Sequence, residues 1–105
     1  MTNSKQKGKR GELEFVSFLK ERGINAKRGQ QYKGTPDSPD IISDLDKIHW
    51  EVKRTEKLQL YKYLDQAIAD AGTNQTPVVA YRKNKEEWVC ILLADDLLEI
   101  LRLIK

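Results

Sequence analysis

Apolar and polar positions recur with two different periods along the chain, and each period predicts one type of element. Between Lys9 and Arg22 the apolar residues share one broad helical face, and Gly23 follows as a typical C-terminal glycine. From Ile48 to Arg54 apolar and polar residues alternate, as in a strand with one buried face. The pattern predicts helices over Lys9–Arg22, over Leu58–Ala71 and from a cap at Asp95 or Asp96 onwards, and strands over Asn25–Arg28, Asp40–Ser43, Ile48–Arg54, Val78–Tyr81 and Trp88–Leu93.

The order of these elements predicts the fold class. A turn over Asp44–Lys47 joins the second and third strands, a polar turn over Asn84–Glu87 makes a hairpin of the last two, and residues 29–37 form a loop. The resulting order, α-β-β-β-α-β-β-α, indicates an α/β fold with a mixed sheet flanked by helices. A chain of 105 residues has the size of one domain, so we expect residues 1–105 to form a single unit.

Two of the predicted helices differ in how they distribute apolar residues. The second helix has apolar residues at Tyr61, Leu64, Ile68 and Ala71 and a polar face with Lys62, Tyr63, Gln66 and Asp70. In the last helix apolar residues cover more than half of the circumference, which is more than one core contact needs. Its apolar residues are Leu97, Leu98, Ile100, Leu101, Leu103 and Ile104. This helix therefore either forms a homodimer interface or is wedged between the sheet and the first helix.

Composition indicates an intracellular protein. The N-terminus does not resemble a signal peptide, and no apolar run approaches the roughly 20 residues of a membrane span. We therefore expect a soluble, cytoplasmic protein that does not contact a membrane. The lone cysteine, Cys90, lies between Val89 and Ile91, which predicts a buried and unreactive thiol in a strand.

Positive charge is concentrated near the N-terminus. The formal net charge is only +3, but Lys5, Lys7, Lys9 and Arg10 occur with no acidic residue before Glu12. Because neutralising phosphates releases counterions, a flexible basic arm over residues 1–8 is a reasonable DNA-binding element. The alternative is a solvated terminus without a function.

Glu12 is out of place in the pattern of the first helix. It projects near the centre of the apolar face formed by Phe15, Val16 and Leu19, whereas Glu14 projects to the polar side, as does Glu21. A carboxylate directed at the core is costly unless it is paired, hydrogen-bonded or bound to a metal. Glu12 is therefore half of an internal salt bridge, or lies on a helix end that protrudes past the core, or is part of a functional site.

The strand Ile48–Arg54 and the residue Asp40 extend this acidic site. Glu51 and Lys53 are two positions apart and share the polar face of their strand, and Asp40 at the start of the preceding strand can face the same side. His49 also shares that face, and we interpret it as a surface residue because histidine suits magnesium poorly. Two carboxylates and an ammonium group would then meet at one place.

Such a cluster suits the hydrolysis of a phosphodiester. Mg²⁺ prefers hard oxygen ligands and keeps several waters, so two or three carboxylates can hold it and leave room for a phosphate oxygen. The metal acidifies a bound water and acts as a Lewis acid, and Mn²⁺ can substitute for it. Lys53 is best placed to stabilise developing negative charge.

The same residues resemble the signature of a known nuclease superfamily. Pro39-Asp40, ten intervening residues and Glu51-Val52-Lys53 have the form of the PD-(D/E)XK signature. Lys7-Gly8, Glu12, the apolar helix with Arg22-Gly23, and Arg28 at the end of the next strand extend the resemblance to archaeal and phage Holliday junction resolvases. The likeness covers residues 7–54, and the loop Gly29–Ser38 is longer than in short archaeal members.

The resemblance implies a restriction-endonuclease-like fold and a homodimeric, Mg²⁺-dependent endonuclease that cleaves four-way or other branched DNA. Its catalytic residues would be Glu12, Asp40, Glu51 and Lys53, with the three acids as metal ligands. The residues expected to bind DNA are Lys7, Lys9, Arg10, Arg28, Lys33 and Arg54. Gln66 and Tyr32 would be accessory residues, although both also fit plain exposure. The alternatives are another PD-(D/E)XK nuclease acting on duplex or flap DNA, and a non-catalytic DNA-binding module on the same scaffold.

Overall fold

The computed structural model describes residues 4–29 and 40–104, and the elements within them follow the predicted order. The helices are α1 (Ser4–Lys20), α2 (Leu60–Asp70) and α3 (Ala94–Leu103), and the strands are β1 (Ala26–Arg28), β2 (Ile41–Ser43), β3 (Ile48–Arg54), β4 (Thr76–Arg82) and β5 (Val89–Ile91). The predicted α/β fold class is confirmed. In this part of the chain, no helix has the length and apolar character that crossing a membrane requires.

The strands form a mixed sheet and a separate two-stranded ribbon. β4 lies in the centre of the three-stranded sheet, parallel to β3 and antiparallel to β5. Since parallel neighbours need a crossover connection, α2 links β3 to β4 across one face of this sheet. β1 and β2 pair antiparallel with each other and lie beside the edge of β3 that β4 does not cover.

The main core lies between α1 and the sheet. Phe15, Val16 and Leu19 occupy one stripe of α1 because they are one and four positions apart on the helix. They pack on Trp50 and Val52 of β3, and the rings of Phe15 and Trp50 meet edge to face with centroids 4.9 Å apart. This packing fixes α1 across β3 and brings the middle of the helix close to Arg54 at the end of that strand.

The second face of the sheet is covered by α2, whose buried side differs from the prediction. Tyr63, Leu64 and Ala67 are buried against Val79 and Tyr81 of β4. The predicted apolar residues Tyr61 and Ile68 are instead exposed, at 76% and 42% of their surface. Tyr63 can be buried because its hydroxyl donates to the Lys57 carbonyl at 3.1 Å, and the small Ala67 lets the helix approach the sheet. The buried face of α2 predicted from apolar residues alone is therefore wrong, because it counted Tyr63 as polar.

Of the two predicted ends of α1, the structure confirms the C-terminal one and not the N-terminal one. At the C-terminal end Gly23 has a φ of +82°. The Gly23 amide donates a hydrogen bond to the Lys20 carbonyl, and the Ile24 amide donates one to the Leu19 carbonyl. These are the bonds of a Schellman cap, and they confirm the terminating role of Gly23. At the other end the helix begins at Ser4 rather than Lys9. Residues 4–8 are therefore helical, and the flexibility of residues 1–8 stays a prediction.

The C-terminal part of the chain departs further from the prediction. α3 begins after Leu93, whose side chain makes no capping bond, so the predicted cap at Asp95 or Asp96 is wrong. Both acids lie in the first turn, where the helix dipole favours negative charge. No residue of α3 is buried, so α3 is not wedged between the sheet and α1. Cys90 is exposed, contrary to the expected buried thiol, because no described helix packs extensively on β5.

Candidate active site

Glu12 is buried at the middle of α1, on the helix face that the pattern predicted. Only 7% of its surface is exposed, and its Oε1 accepts a 2.7 Å hydrogen bond from Nε of Arg28 on β1. The ion pair compensates the cost of burying the carboxylate. The internal salt bridge considered for Glu12 is therefore present, its role in a functional site stays a prediction, and its charge acts on Asp40 nearby.

Asp40 lies at the edge of β3 just before β2 begins. Its Oδ2 accepts a 3.1 Å hydrogen bond from the backbone N–H of Val52. This amide belongs to the strand edge next to β2, so the aspartate supplies an acceptor where no neighbouring strand does. The bond fixes the Asp40 carboxylate beside Glu51, the residue before Val52 in the chain.

The charge environment of Asp40 shows that the carboxylates crowd together. Burial, the negative charge of Glu51 and, to a smaller extent, the charge of Glu12 together raise the pKa of Asp40 from 3.8 to about 7. The Val52 N–H and the Lys53 ammonium oppose this rise. A carboxylate whose neighbours are also carboxylates is stabilised in its charged form by a cation. The site therefore has the electrostatics of a cation-binding site.

Glu51 and Lys53 lie side by side on β3, as the alternation predicted. Glu51 is 3% exposed, and its Oε2 lies 3.5 Å from Nζ of Lys53. The Lys53 ammonium also lies over the ring of Tyr63, 5.3 Å from its centroid. Sequence reasoning assigned Tyr63 to a polar face and missed this contact, because only the packing of α2 on β3 creates it. The aromatic ring and the carboxylate together fix the position of the ammonium group.

His49 is buried, which contradicts its interpretation as a surface residue. It is 4% exposed, and its Nε2 lies 3.6 Å from Oε1 of Glu51. The reason is that α2 covers the polar face of β3, so this face is not solvated. The charged side chains of this strand are therefore held inside the protein.

Comparison with known proteins identifies a family for this chain. Residues 3–100 match the family model described as archaeal Holliday junction resolvase (Hjc). The chain belongs to the archaeal Hjc family. Among solved structures it is similar to Hjc from Archaeoglobus fulgidus, a Holliday junction resolvase from an archaeal hyperthermophile, with a TM-score of 0.59 and 25% identity over 82% of this chain and 72% of that one. No curated protein matches the chain.

The three predicted metal ligands of this Hjc family member do not form one tight cluster. Among the described residues, the group whose ligand atoms lie within 4.8 Å of one another is His49, Glu51 and Asp70, not Glu12, Asp40 and Glu51. The Glu12 carboxylate instead forms an ion pair with the Arg28 guanidinium. The charge of Glu51 affects Asp40 more strongly than that of Glu12 does, and the metal-ligand role of the three acids stays a prediction.

The basic residues predicted to bind DNA fall into two groups. Lys9 and Arg10 are exposed on α1, whereas Arg28 is paired with Glu12 and Arg54 donates to Glu14 at 3.0 Å and to Asn84 at 2.8 Å. Lys7 lies in α1, but the structure does not describe its side chain. Tyr32 and Lys33 lie outside the described residues. Gln66 is exposed on α2. Among the predicted DNA-binding residues whose side chains the structure describes, Lys9 and Arg10 are thus the exposed ones, and DNA binding by the whole set stays a prediction.

Glu14 is not the solvated charge that the helix pattern indicated. Its Oε1 accepts hydrogen bonds from Arg54 and Arg82, both at 3.0 Å. The two arginines come from β3 and β4, so Glu14 ties α1 to both parallel strands. A partly buried carboxylate with two guanidinium partners is a structural element of the fold.

Proposed function

We propose that this chain is a Mg²⁺-dependent endonuclease that cleaves Holliday junctions, and that Mn²⁺ can replace Mg²⁺. Asp40 and Glu51 would hold the metal, Glu12 would complete the acidic site, and Lys53 would act beside them. The observation that carries the proposal is the crowding of Asp40 against Glu51, with a raised pKa and with Lys53 beside Glu51.

The donor set fits Mg²⁺. Mg²⁺ is usually held by one or two carboxylates and retains several waters, so Asp40 and Glu51 are sufficient protein ligands. Glu12 can contribute through a water while it keeps its bond to Arg28. Since metal ligands must be deprotonated, a cation would also relieve the repulsion that raises the pKa of Asp40.

The residues of the site have separate tasks in phosphodiester hydrolysis. When bound, the metal supplies a Lewis acid and a water that is acidic enough to attack phosphorus. The ammonium of Lys53, held by Glu51 and the Tyr63 ring, can stabilise negative charge that develops on the phosphate. The N–H of Val52 holds the Asp40 carboxylate in place, so the site is organised before the substrate binds.

DNA would be bound mainly through its backbone. Lys9 and Arg10 extend from the exposed surface of α1 close to Glu12, and the chain carries a net charge of +3. Contacts to phosphates fix position and orientation without reading sequence, which suits an enzyme that recognises a branched shape. We therefore expect affinity for junctions to fall steeply with salt. A cytoplasmic, DNA-associated location follows from this role.

A homodimer would supply two such sites. The exposed face of α3 includes Leu98 and Leu101, and the exposed Leu103 and Ile104 follow. An apolar surface of this kind marks an interaction site, and a two-fold axis relates two identical active sites. Cutting two opposing strands of a four-way junction requires such a pair.

A substrate panel tests the proposed function. The full chain would be incubated with a labelled four-way junction, a flap and a linear duplex of the same sequence, with Mg²⁺, Mn²⁺ or EDTA. We expect paired nicks in opposing strands of the junction with either metal and none in EDTA. Preferential cleavage of the flap or duplex would instead favour another nuclease of the same superfamily. Binding without cleavage in either metal would contradict the proposal and favour a DNA-binding module.

A further inference from the structure

The side of β3 that lies under α2 holds the only histidine of the sequence, His49. Its Nε2 is buried and, within residues 4–29 and 40–104, has no hydrogen-bond partner. A buried polar atom without a partner costs free energy and calls for an explanation such as a bound ion. The imidazole is therefore a group for which a ligand would provide the missing interaction.

Two carboxylates lie beside this imidazole. Oε1 of Glu51 lies 3.6 Å from Nε2 of His49, and the ligand atoms of His49, Glu51 and Asp70 all lie within 4.8 Å of one another. In a tetrahedral zinc site, with bonds of about 2.1 Å, neighbouring ligand atoms are about 3.4 Å apart. Small side-chain adjustments would bring the three atoms to that spacing.

The position of Asp70 supports a cation at this place. Asp70 is the last residue of α2, and the last turn of this helix contains no basic residue. A negative charge at a helix C-terminus is unfavourable because the helix dipole is negative there. A cation held by Asp70 would offset both the carboxylate and the helix end.

Glu51 can serve this place and the proposed active site with different atoms. Its Oε2 lies 3.5 Å from the Lys53 ammonium, whereas its Oε1 is the atom near His49. A carboxylate can contact two cations through its two oxygens. A ligand on the His49 side would therefore fix the orientation of Glu51.

We propose that His49, Glu51 and Asp70 bind a divalent transition-metal cation such as Zn²⁺ between β3 and the end of α2. One imidazole nitrogen and two carboxylates suit Zn²⁺, and imidazole disfavours Mg²⁺. This site is distinct from the Asp40 side of Glu51, and cation binding here does not depend on the proposed nuclease activity.

The single histidine makes the test direct. Zn²⁺ would be titrated into the untagged, metal-free full chain while the imidazole nitrogens are followed by NMR, so that every histidine signal belongs to His49. We expect Zn²⁺ to shift the Nε2 resonance far more than the same concentration of Mg²⁺ does, because Zn²⁺ would bind the imidazole itself whereas Mg²⁺ would bind on the Asp40 side of Glu51. An Nε2 resonance that stays in place at saturating Zn²⁺ would overturn the proposal.

A pair of variants on α2 tests the ligand set. Asp70 and Asp65 are both exposed on this helix, and Asp70→Asn and Asp65→Asn change the charge equally. We expect Asp70→Asn to weaken Zn²⁺ binding at least tenfold by calorimetry, because even outer partners of metal ligands are worth that much. Asp65→Asn should bind as the wild type does. Equal affinities for the two variants, both folded by circular dichroism, would refute the site. Because no DNA is present, a failure of junction cleavage would leave this result unaffected.

Discussion

Asp40 shows how one side chain connects fold stability to the proposed chemistry. Its carboxylate is held by the Val52 N–H at a place where Glu51 and Glu12 add negative charge. This arrangement raises the pKa of the Asp40 carboxyl group to about 7. A strongly perturbed carboxyl group with specific charged neighbours is typical of functional sites.

The pKa of Asp40 predicts how the stability of the metal-free protein changes with pH. Because the pKa is about 7 in the folded protein and 3.8 ordinarily, the folded state holds the proton more tightly. The stability that this provides is complete below pH 3.8 and is lost as the pH rises through about 7. The difference corresponds to about 4 kcal/mol in a dry site, and we expect about 2 kcal/mol because Asp40 is partly exposed.

Urea unfolding in EDTA across this pH range measures the effect. Asp40→Asn should remove most of the loss between pH 3.8 and about 7, since an amide does not titrate. Asp46→Asn, at an exposed position in the turn before β3, should retain it. If both variants followed the wild-type curve, the charge environment assigned to Asp40 would be wrong.

Individual residues differ in how far the sequence could predict them. Glu12 was found because a charge on an apolar helix face is anomalous, and Glu51 and Lys53 because strand alternation puts them together. The partners of Glu14 were not predictable, since Arg54 and Arg82 lie 40 and 68 positions away in the chain. His49 was misplaced because alternation shows which residues share a face, not what covers that face.

At the level of elements, the close approach of α1 to β3 positions Glu12. At Gly11 a Cβ atom would lie 2.6 Å from Cβ of Arg54, whereas at Gly8 nothing lies within 4 Å. The hydrogen side chain of Gly11 therefore allows the contact, and a larger residue would push the helix away from the strand. The sequence gives no sign of which glycine has this role, because the crossing point depends on tertiary packing.

The two glycines provide a matched pair of substitutions in one helix. We expect Gly11→Ala to lower the free energy of unfolding by about 1–3 kcal/mol, the usual cost of overpacking. Gly8→Ala should raise it by about 0.5–1 kcal/mol, because alanine favours a helix more than glycine does. Urea unfolding of the two variants checks both signs. A Gly11→Ala protein as stable as Gly8→Ala would contradict the close approach.

Helix patterns predicted the existence of the elements better than their orientation. The order of elements and the strand Ile48–Arg54 were confirmed because long periodic segments carry a strong signal. The buried face of α2 was wrong, since Tyr63 pairs a large apolar ring with a hydroxyl that finds a backbone acceptor. Because an amphipathic residue such as Tyr63 can be buried or exposed, the sequence is compatible with two alternative buried faces of α2. Packing against the sheet determines which of them is buried.

For the whole molecule, the exposed apolar face of α3 predicts self-association. Leu101→Glu should raise the dissociation constant of a dimer at least tenfold, because it puts a charge into an apolar contact. Arg102→Gln, which changes the net charge by the same amount at a neighbouring exposed position, should leave association unchanged. Sedimentation of the two variants over a range of concentrations distinguishes them. A monomeric wild type would exclude α3 as a dimer interface.

The rate of cleavage of a labelled four-way junction by Asp40→Asn, compared with Asp46→Asn, tests the central claim most directly. If Asp40 and Glu51 hold the catalytic metal, Asp40→Asn should cut the junction at least roughly 100-fold more slowly in Mg²⁺, because the metal contributes several kcal/mol to the barrier. It should still bind the junction in EDTA, and Asp46→Asn should cut at the wild-type rate. Undiminished cleavage by a folded Asp40→Asn protein would contradict the proposed active site.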